Sequence, residues 1–137
     1  MLVNPSGLSG LTREIIGAAI EVHRALGPGL LESVYHPCLQ FELSSRKVRF
    51  VVQRLIPITY KGATLTASYR VDLIVEDAVI VEVKSVADLA PIHAAQLLTY
   101  LRLTGCPVGL LINFNVPRLV NGVQRVLNAN AQANSVT

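Results

Sequence analysis

The sequence lacks the residues that mark several classes of protein. It contains no tryptophan, and aromatic residues make up only 5% of its 137 residues, so a broad stacking surface for single-stranded nucleic acid is not expected. Its two cysteines, Cys38 and Cys106, stand alone and far apart, which leaves neither a zinc-ribbon spacing nor a disulfide framework. No apolar run approaches the roughly 20 residues that a membrane-spanning helix needs.

Charged residues are also scarce, at 15%, whereas hydrophobic residues make up 51% and the mean hydropathy is +0.47. This balance excludes bulk disorder and predicts a single domain with a buried core. The formal charge of +3 permits a polyanionic partner without requiring one. Residues 1–5 have neither the basic nor the apolar region of a signal peptide, which predicts a cytoplasmic protein.

Hydrophobic spacing predicts an α/β chain with the element order α-α-β-β-β-α-β. Apolar residues at helical spacing predict helices over residues 11–26 and 31–46, and a third helix over 92–104 is bounded by Pro91 and Gly105. Alternating β-branched residues predict strands, and a fourth run is apolar enough to be buried on both faces; the four ranges are 50–60, 65–75, 78–84 and 107–113. This order implies a mixed central sheet flanked by helices. Residues 1–10 and 130–137 are small and polar, and we expect loose termini there.

The hairpin around residues 76–77 has two possible registers. A two-residue loop would place the apolar residues of the first strand opposite mixed neighbours, whereas a three-residue loop pairs apolar with apolar: Val71, Leu73 and Val75 then share one face and meet Val83, Val81 and Val79. A slip of one residue turns every side chain to the other face, so the pattern favours the three-residue loop. That register sets Asp72 directly opposite Glu82, with Lys84 on the same face.

Two carboxylates this close repel each other unless a cation lies between them. A hard divalent ion such as Mg²⁺ takes oxygen ligands and would fit between Asp72 and Glu82. Lys84 could position a water molecule or stabilise negative charge that develops at phosphorus. In the alternative interpretation, Glu82 and Lys84 are solvated strand residues and Asp72 pairs with a nearby arginine.

Three short motifs carry a resemblance to a known group of enzymes. Asp72 followed by Glu82-Val83-Lys84 on the next strand resembles the PD-(D/E)xK nuclease superfamily, whose core is helix, three strands, helix and strand. Gln96-Leu-Leu-Thr-Tyr100 is similar to the QxxxY element of the RecB-like exonuclease branch. Gly29-Leu-Leu-Glu32-Ser-Val-Tyr35 matches the pattern that names the GxxExxY protein family. The resemblance runs from about residue 12 to residue 128.

The resemblance implies a restriction-endonuclease-like fold and a specific set of site residues. Asp72, Glu82 and Glu32 would bind Mg²⁺ or Mn²⁺, and Lys84 would orient or activate the attacking water. Gln96 would hold the active-site face, and two tyrosines would contact substrate, Tyr35 and Tyr100. The competing interpretations are structural: a favourable charge at a helix start for Glu32, and an ordinary polar helix edge for Gln96 and Tyr100. The three histidines, His23, His36 and His93, have no ligand spacing.

The implied function is a metal-dependent phosphodiesterase, or nuclease, that acts on nucleic acid, with DNA as the expected partner. The alternative is a non-catalytic module that binds nucleic acid or protein on a nuclease fold, and hydrolysis of a small phosphorylated ligand is a third possibility. We expect so small a chain, with so little excess charge, to need a homodimer or a protein partner to hold DNA. A basic cluster could grip phosphates or simply be solvated: Arg46, Lys47, Arg49 and Arg54.

Overall fold

The computed structural model describes residues 5–129, with side chains described except at 5–7 and 66–68. It contains three α-helices, five strands and a short 3₁₀ helix. The helices are α1 (Pro5–Leu26), α2 (Glu32–Ser45) and α3 (Pro91–Thr104), and the 3₁₀ helix covers Leu119–Gly122. The strands are β1 (Phe50–Tyr60), β2 (Ala63–Val75), β3 (Val79–Lys84), β4 (Val108–Asn113) and β5 (Val123–Leu127). No helix in this part of the chain combines the length and apolarity needed to cross a membrane.

The strands form one mixed sheet in the order β1-β2-β3-β4-β5. Strands β3 and β4 pair in parallel and are joined by α3, whereas the other neighbours pair antiparallel. The predicted mixed sheet is therefore confirmed, but β5 was not predicted. Its side chains are all exposed or half-buried, because it is an edge strand, and its sequence carries little apolar signal.

Helices cover both faces of the sheet. One face packs against α1 and α2, through buried residues such as Ile15, Leu39 and Leu110. The other, the α3 face, packs Ile80 and Leu111 beneath Leu97 and Leu101. Every residue of β4 is buried, as predicted for a strand covered on both faces.

The first helix begins earlier than predicted. The prediction of a loose segment over residues 1–10 is wrong for residues 5–10, because α1 starts at Pro5. A proline in the first helical turn loses no hydrogen bond, since the N–H groups there have no partner in the helix. Leu8 and Leu11 also pack against the core, which stabilises this turn. Residues 1–4 and 130–137 lie outside the described residues.

Candidate active site

The β2–β3 hairpin has the predicted three-residue loop. Val75 pairs with Val79 and Leu73 with Val81, so the register chosen from the apolar pattern is confirmed. The loop holds its bend through two residues with positive φ, Glu76 at +51° and Asp77 at +56°. It therefore sets the relative positions of the carboxylates farther along both strands.

The backbone pairing of β2 with β3 ends at Leu73–Val81, immediately before the carboxylates. Beyond that point the side chains replace the ladder bonds. Asp72 Oδ2 accepts the N–H of Val83 at 2.8 Å, and Glu82 Oε1 accepts the N–H of Asp72 at 3.2 Å. The two residues are thus not an ordinary cross-strand pair as predicted, because each carboxylate is inserted between the separated strands and held by main-chain N–H groups.

The strand distortion continues into β1. Gln53 has a φ of +54°, and the pairs on either side of it are Val52–Leu73 and Arg54–Val71. Val71 packs in the cluster beneath α3, whereas Leu73 belongs to the cluster beneath α1 and α2. The prediction that these two residues share a face is therefore wrong, because the regular alternation of β2 breaks at Asp72.

The carboxylate of Glu82 is unusual because it is almost fully buried, with 7% of the residue exposed. Its pKa is raised from 4.5 to about 8, first by burial and then by the charge of Asp72, whereas the N–H of Asp72 and the charge of Lys84 oppose the rise. A buried carboxyl beside a second carboxylate retains a proton unless a cation takes its place. Asp72, Glu82 and Lys84 therefore form one electrostatic unit.

The donor set of this unit fits a hydrated hard cation. No group of three or more histidine, cysteine, aspartate or glutamate residues within 5–129 is arranged to hold a metal ion. Two carboxylates suffice for Mg²⁺, because this ion keeps several of its waters and takes only one or two protein carboxylates. The predicted third ligand, Glu32, does not complete a three-residue metal group in this arrangement.

A cleft of about 230 Å³ opens on the α2 side of Asp72. It is lined by residues from four elements: Glu32, Ser33, His36, Pro37, Gln53, Asp72 and Val83. The cleft therefore brings Glu32 to the same opening as Asp72, as the resemblance implied, with α2 running unbroken through Pro37.

His36 is a cleft residue that the sequence analysis missed. Gln40 Nε2 lies 2.6 Å from His36 Nδ1, and His36 Nε2 lies 3.3 Å from the carbonyl oxygen of Asp72. When Gln40 donates to Nδ1, Nε2 carries the proton and donates to that carbonyl, which anchors the distorted part of β2. Ligand spacing gave no signal for His36, but its position one turn after Glu32 on α2 did place it on the same face.

The prediction that Tyr35 contacts substrate is wrong. Its side chain is fully buried and stacks on Phe114, with ring centroids 4.5 Å apart. Its hydroxyl donates to the carbonyl of Gly27 at 2.6 Å and accepts the N–H of Leu30 at 3.1 Å. Ser85 donates to the carbonyl of Leu30 at 2.5 Å. Tyr35 therefore fixes the loop before α2, and through it the start of α2, next to the end of β3.

Of the two candidate site residues on α3, Tyr100 lies near the carboxylates and Gln96 does not contact them. Tyr100 is half-buried, and burial together with the negative charges of Glu82 and Asp72 raises its pKa. Its ring lies 5.1 Å from that of Tyr69, a residue with no role in the sequence analysis. Gln96 lies one turn earlier, exposed to solvent, and takes part in no hydrogen bond among the described side chains.

A family model described as the PD-(D/E)XK nuclease superfamily matches residues 9–126. The chain belongs to this superfamily. The match runs from α1 into β5 and includes every candidate site residue. In this PD-(D/E)XK protein the mixed sheet and its flanking helices form the restriction-endonuclease-like fold expected from the sequence.

One solved structure supports the same fold. The solved structure entitled "Crystal structure of SSO0001" is 20% identical in sequence to this chain, and it superposes on 76% of this chain with a TM-score of 0.54. This chain spans 56% of the length of that protein. No curated protein matches the sequence. The functional assignment therefore depends on the superfamily and on the geometry of the site.

Proposed function

We propose that this protein is a nuclease that hydrolyses phosphodiester bonds of nucleic acid, with Mg²⁺ or Mn²⁺ as cofactor and DNA as the expected substrate. The observation that carries the proposal is the insertion of Asp72 and Glu82 at the end of the β2–β3 ladder, with Lys84 two residues beyond. Within the superfamily, we propose that it is related to the GxxExxY proteins and the RecB-like branch, a proposal that the motifs at Glu32 and Gln96 support. We expect it to act in the cytoplasm.

Asp72 and Glu82 would hold the metal ion. When bound, the ion polarises a phosphate oxygen and lowers the pKa of a coordinated water. Glu82 must lose its proton to become a ligand, so metal affinity should rise with pH up to about 8. With a cation held between them, Asp72 and Glu82 would no longer repel each other.

Lys84 would act on the reacting phosphate. Its ammonium lies near enough to Glu82 to lower the pKa of that carboxyl, so it belongs to the same electrostatic unit. It would orient the attacking water and offset the negative charge that develops in the transition state. Its backbone is held on the β4 side, by pairing with Asn113 and by the N–H of Phe114, which donates to the Lys84 carbonyl at 2.9 Å.

The surrounding residues would position the carboxylates and the substrate. Glu32 would close the site from the α2 side through a water molecule across the cleft. His36 would hold the carbonyl of Asp72, and Tyr100 would contact substrate beside Glu82. Gln96, exposed on the same helix, would hold the outer edge of the site.

A non-catalytic binding module is the second candidate. The burial of Glu82 favours it, because a carboxyl whose pKa is raised to about 8 keeps its proton at neutral pH and is then no ligand for a cation. Such a module would bind nucleic acid or protein without a divalent ion and without turnover.

The test compares Asp72→Asn with Asp77→Asn on the same hairpin. Both variants replace a carboxylate by an amide of equal size, but only Asp72 touches Glu82. Calorimetric titration with Mg²⁺ and Mn²⁺ should show binding to the wild type and to Asp77→Asn, and none to Asp72→Asn. Incubation with single- and double-stranded DNA and RNA then measures cleavage. If the wild type and both variants bind the metal ion equally, or if none of them binds it, the proposed nuclease function is contradicted.

A further inference from the structure

Tyr69 and Tyr100 form an aromatic pair on the α3 face of the sheet. Tyr69 lies on β2 opposite Ile56, which is buried in the cluster beneath α3. The two rings are tilted by 54° with centroids 5.1 Å apart, a preferred geometry for aromatic pairs. Tyr100 is half-buried and braces the pair, whereas Tyr69 is 42% exposed. The ring of Tyr69 is therefore held in place by Tyr100 and remains open to solvent.

This pair lies beside the carboxylates. Tyr69 precedes Asp72 by three residues on β2, about 10 Å along a strand. A nucleotide whose phosphate reached the carboxylates would thus place a neighbouring base within reach of Tyr69. The low aromatic content excludes a broad stacking surface, but not a single pair at this point.

Up to residue 71, the hairpin that carries Tyr69 has positive charges and no negative ones. Residues 50–71 contain Arg54, Lys61 and Arg70 and no aspartate or glutamate. All three side chains are exposed, and none of them takes part in the ion pairs found within residues 5–129. By contrast, Arg46 and Arg49 of the predicted basic cluster are paired with glutamates. The cations of the hairpin are therefore available to phosphates.

A second copy of this chain is the competing occupant, because β1 is an edge strand with exposed apolar residues such as Val51 and Leu55. Charge argues against it, since two copies paired along this edge would bring like-charged hairpins together. A polyanion matches the same surface. A duplex keeps its bases stacked inside, so an open ring such as Tyr69 can stack only on an unpaired base.

We propose that Tyr69, braced by Tyr100, stacks on an unpaired base while the cations of the β1–β2 hairpin bind the backbone, so that the substrate is single-stranded nucleic acid or a single-stranded end. This inference rests on the proposed nuclease function and names its substrate class. Tyr69 is a substrate-binding residue in this scheme.

The test measures binding without cleavage. Fluorescence anisotropy in EDTA, at about 50 mM salt, compares a labelled single-stranded oligonucleotide with a blunt duplex of the same sequence. Tyr69→Leu should weaken single-strand binding about 5- to 140-fold, because stacking on one base contributes about 1–3 kcal/mol and 1.4 kcal/mol is tenfold. Tyr69→Phe keeps the ring and should bind as the wild type does. Phe41→Leu is the matched control, since Phe41 is 72% exposed on α2.

A second variant keeps the inference testable if Tyr69→Leu folds poorly. Arg54 lies opposite Val71, on the same face of the sheet as Tyr69. Arg54→Gln should reduce the slope of log affinity against log salt by about 0.7, the value for one phosphate contact on a single strand. If Tyr69→Leu and Arg54→Gln both bind nucleic acid as the wild type does, this inference is overturned and the nuclease proposal still stands. A preference for duplex, or a dimer that dissociates in Tyr69→Leu without loss of binding, also overturns it. Failure of the wild type to bind any nucleic acid overturns both proposals.

Discussion

Replacement of Glu82 by glutamine should stabilise the metal-free protein at alkaline pH. The folded protein holds the Glu82 proton up to about pH 8, whereas the unfolded chain releases it near pH 4.5. Because the folded state binds this proton more tightly, its contribution to stability is fully present below about pH 4.5 and is lost as the pH rises through about 8. Glutamine has no proton to lose, so the variant should not show this decline.

The size of the effect follows from the two pKa values. Each pH unit between 4.5 and about 8 corresponds to about 1.4 kcal/mol, which makes the variant about 3–5 kcal/mol more stable than the wild type at pH 9. At pH 5 the two proteins should differ by less than about 1 kcal/mol from this source. The amide oxygen of glutamine can still accept the N–H of Asp72, so the fold should persist.

Urea unfolding in EDTA at pH 5, 7 and 9 measures this difference, with Asp77→Asn as the control on the same hairpin. Addition of Mg²⁺ or Mn²⁺ at pH 8 should then stabilise the wild type and the control but not Glu82→Gln, because only an intact pair of carboxylates binds the ion. Parallel stability curves for wild type and Glu82→Gln from pH 5 to pH 9 would refute the assignment of a buried, proton-retaining carboxyl at this position.

Three further changes test other parts of the structure. Lys84→Ala should leave metal binding intact and lower the single-turnover cleavage rate about 10²–10³-fold; a rate equal to wild type at saturating metal would make Lys84 a solvated strand residue. Tyr35→Phe should cost about 1–3 kcal/mol in urea unfolding, because it leaves the carbonyl of Gly27 and the N–H of Leu30 without their partner. Gly109→Ala should cost about 1–3 kcal/mol, because a Cβ there would lie 2.7 Å from the side chain of Leu97; an unchanged midpoint would show that α3 shifts without strain.

The sequence by itself determined the helices, four of the five strands and the hairpin register. These features depend on local periodicity, on turn residues and on the pairing of apolar side chains, and all three can be recognised from residues close together in the sequence. Strand β5 was not predicted, because it is a strand through its pairing with β4 and not through an apolar pattern of its own. The start of α1 at Pro5 was not predicted, because Leu8 has packing partners only in the folded chain.

The site divides in the same way. The spacing of Asp72, Glu82 and Lys84 predicted which residues meet, since a strand register is a local property. The sequence could not show that the ladder stops at Leu73, that Tyr35 is fully buried, that His36 contacts the carbonyl of Asp72, or that Tyr69 pairs with Tyr100. Each of these depends on elements far apart in the chain, because burial and hydrogen-bond partners are set by what packs against a residue and not by the residues beside it in sequence.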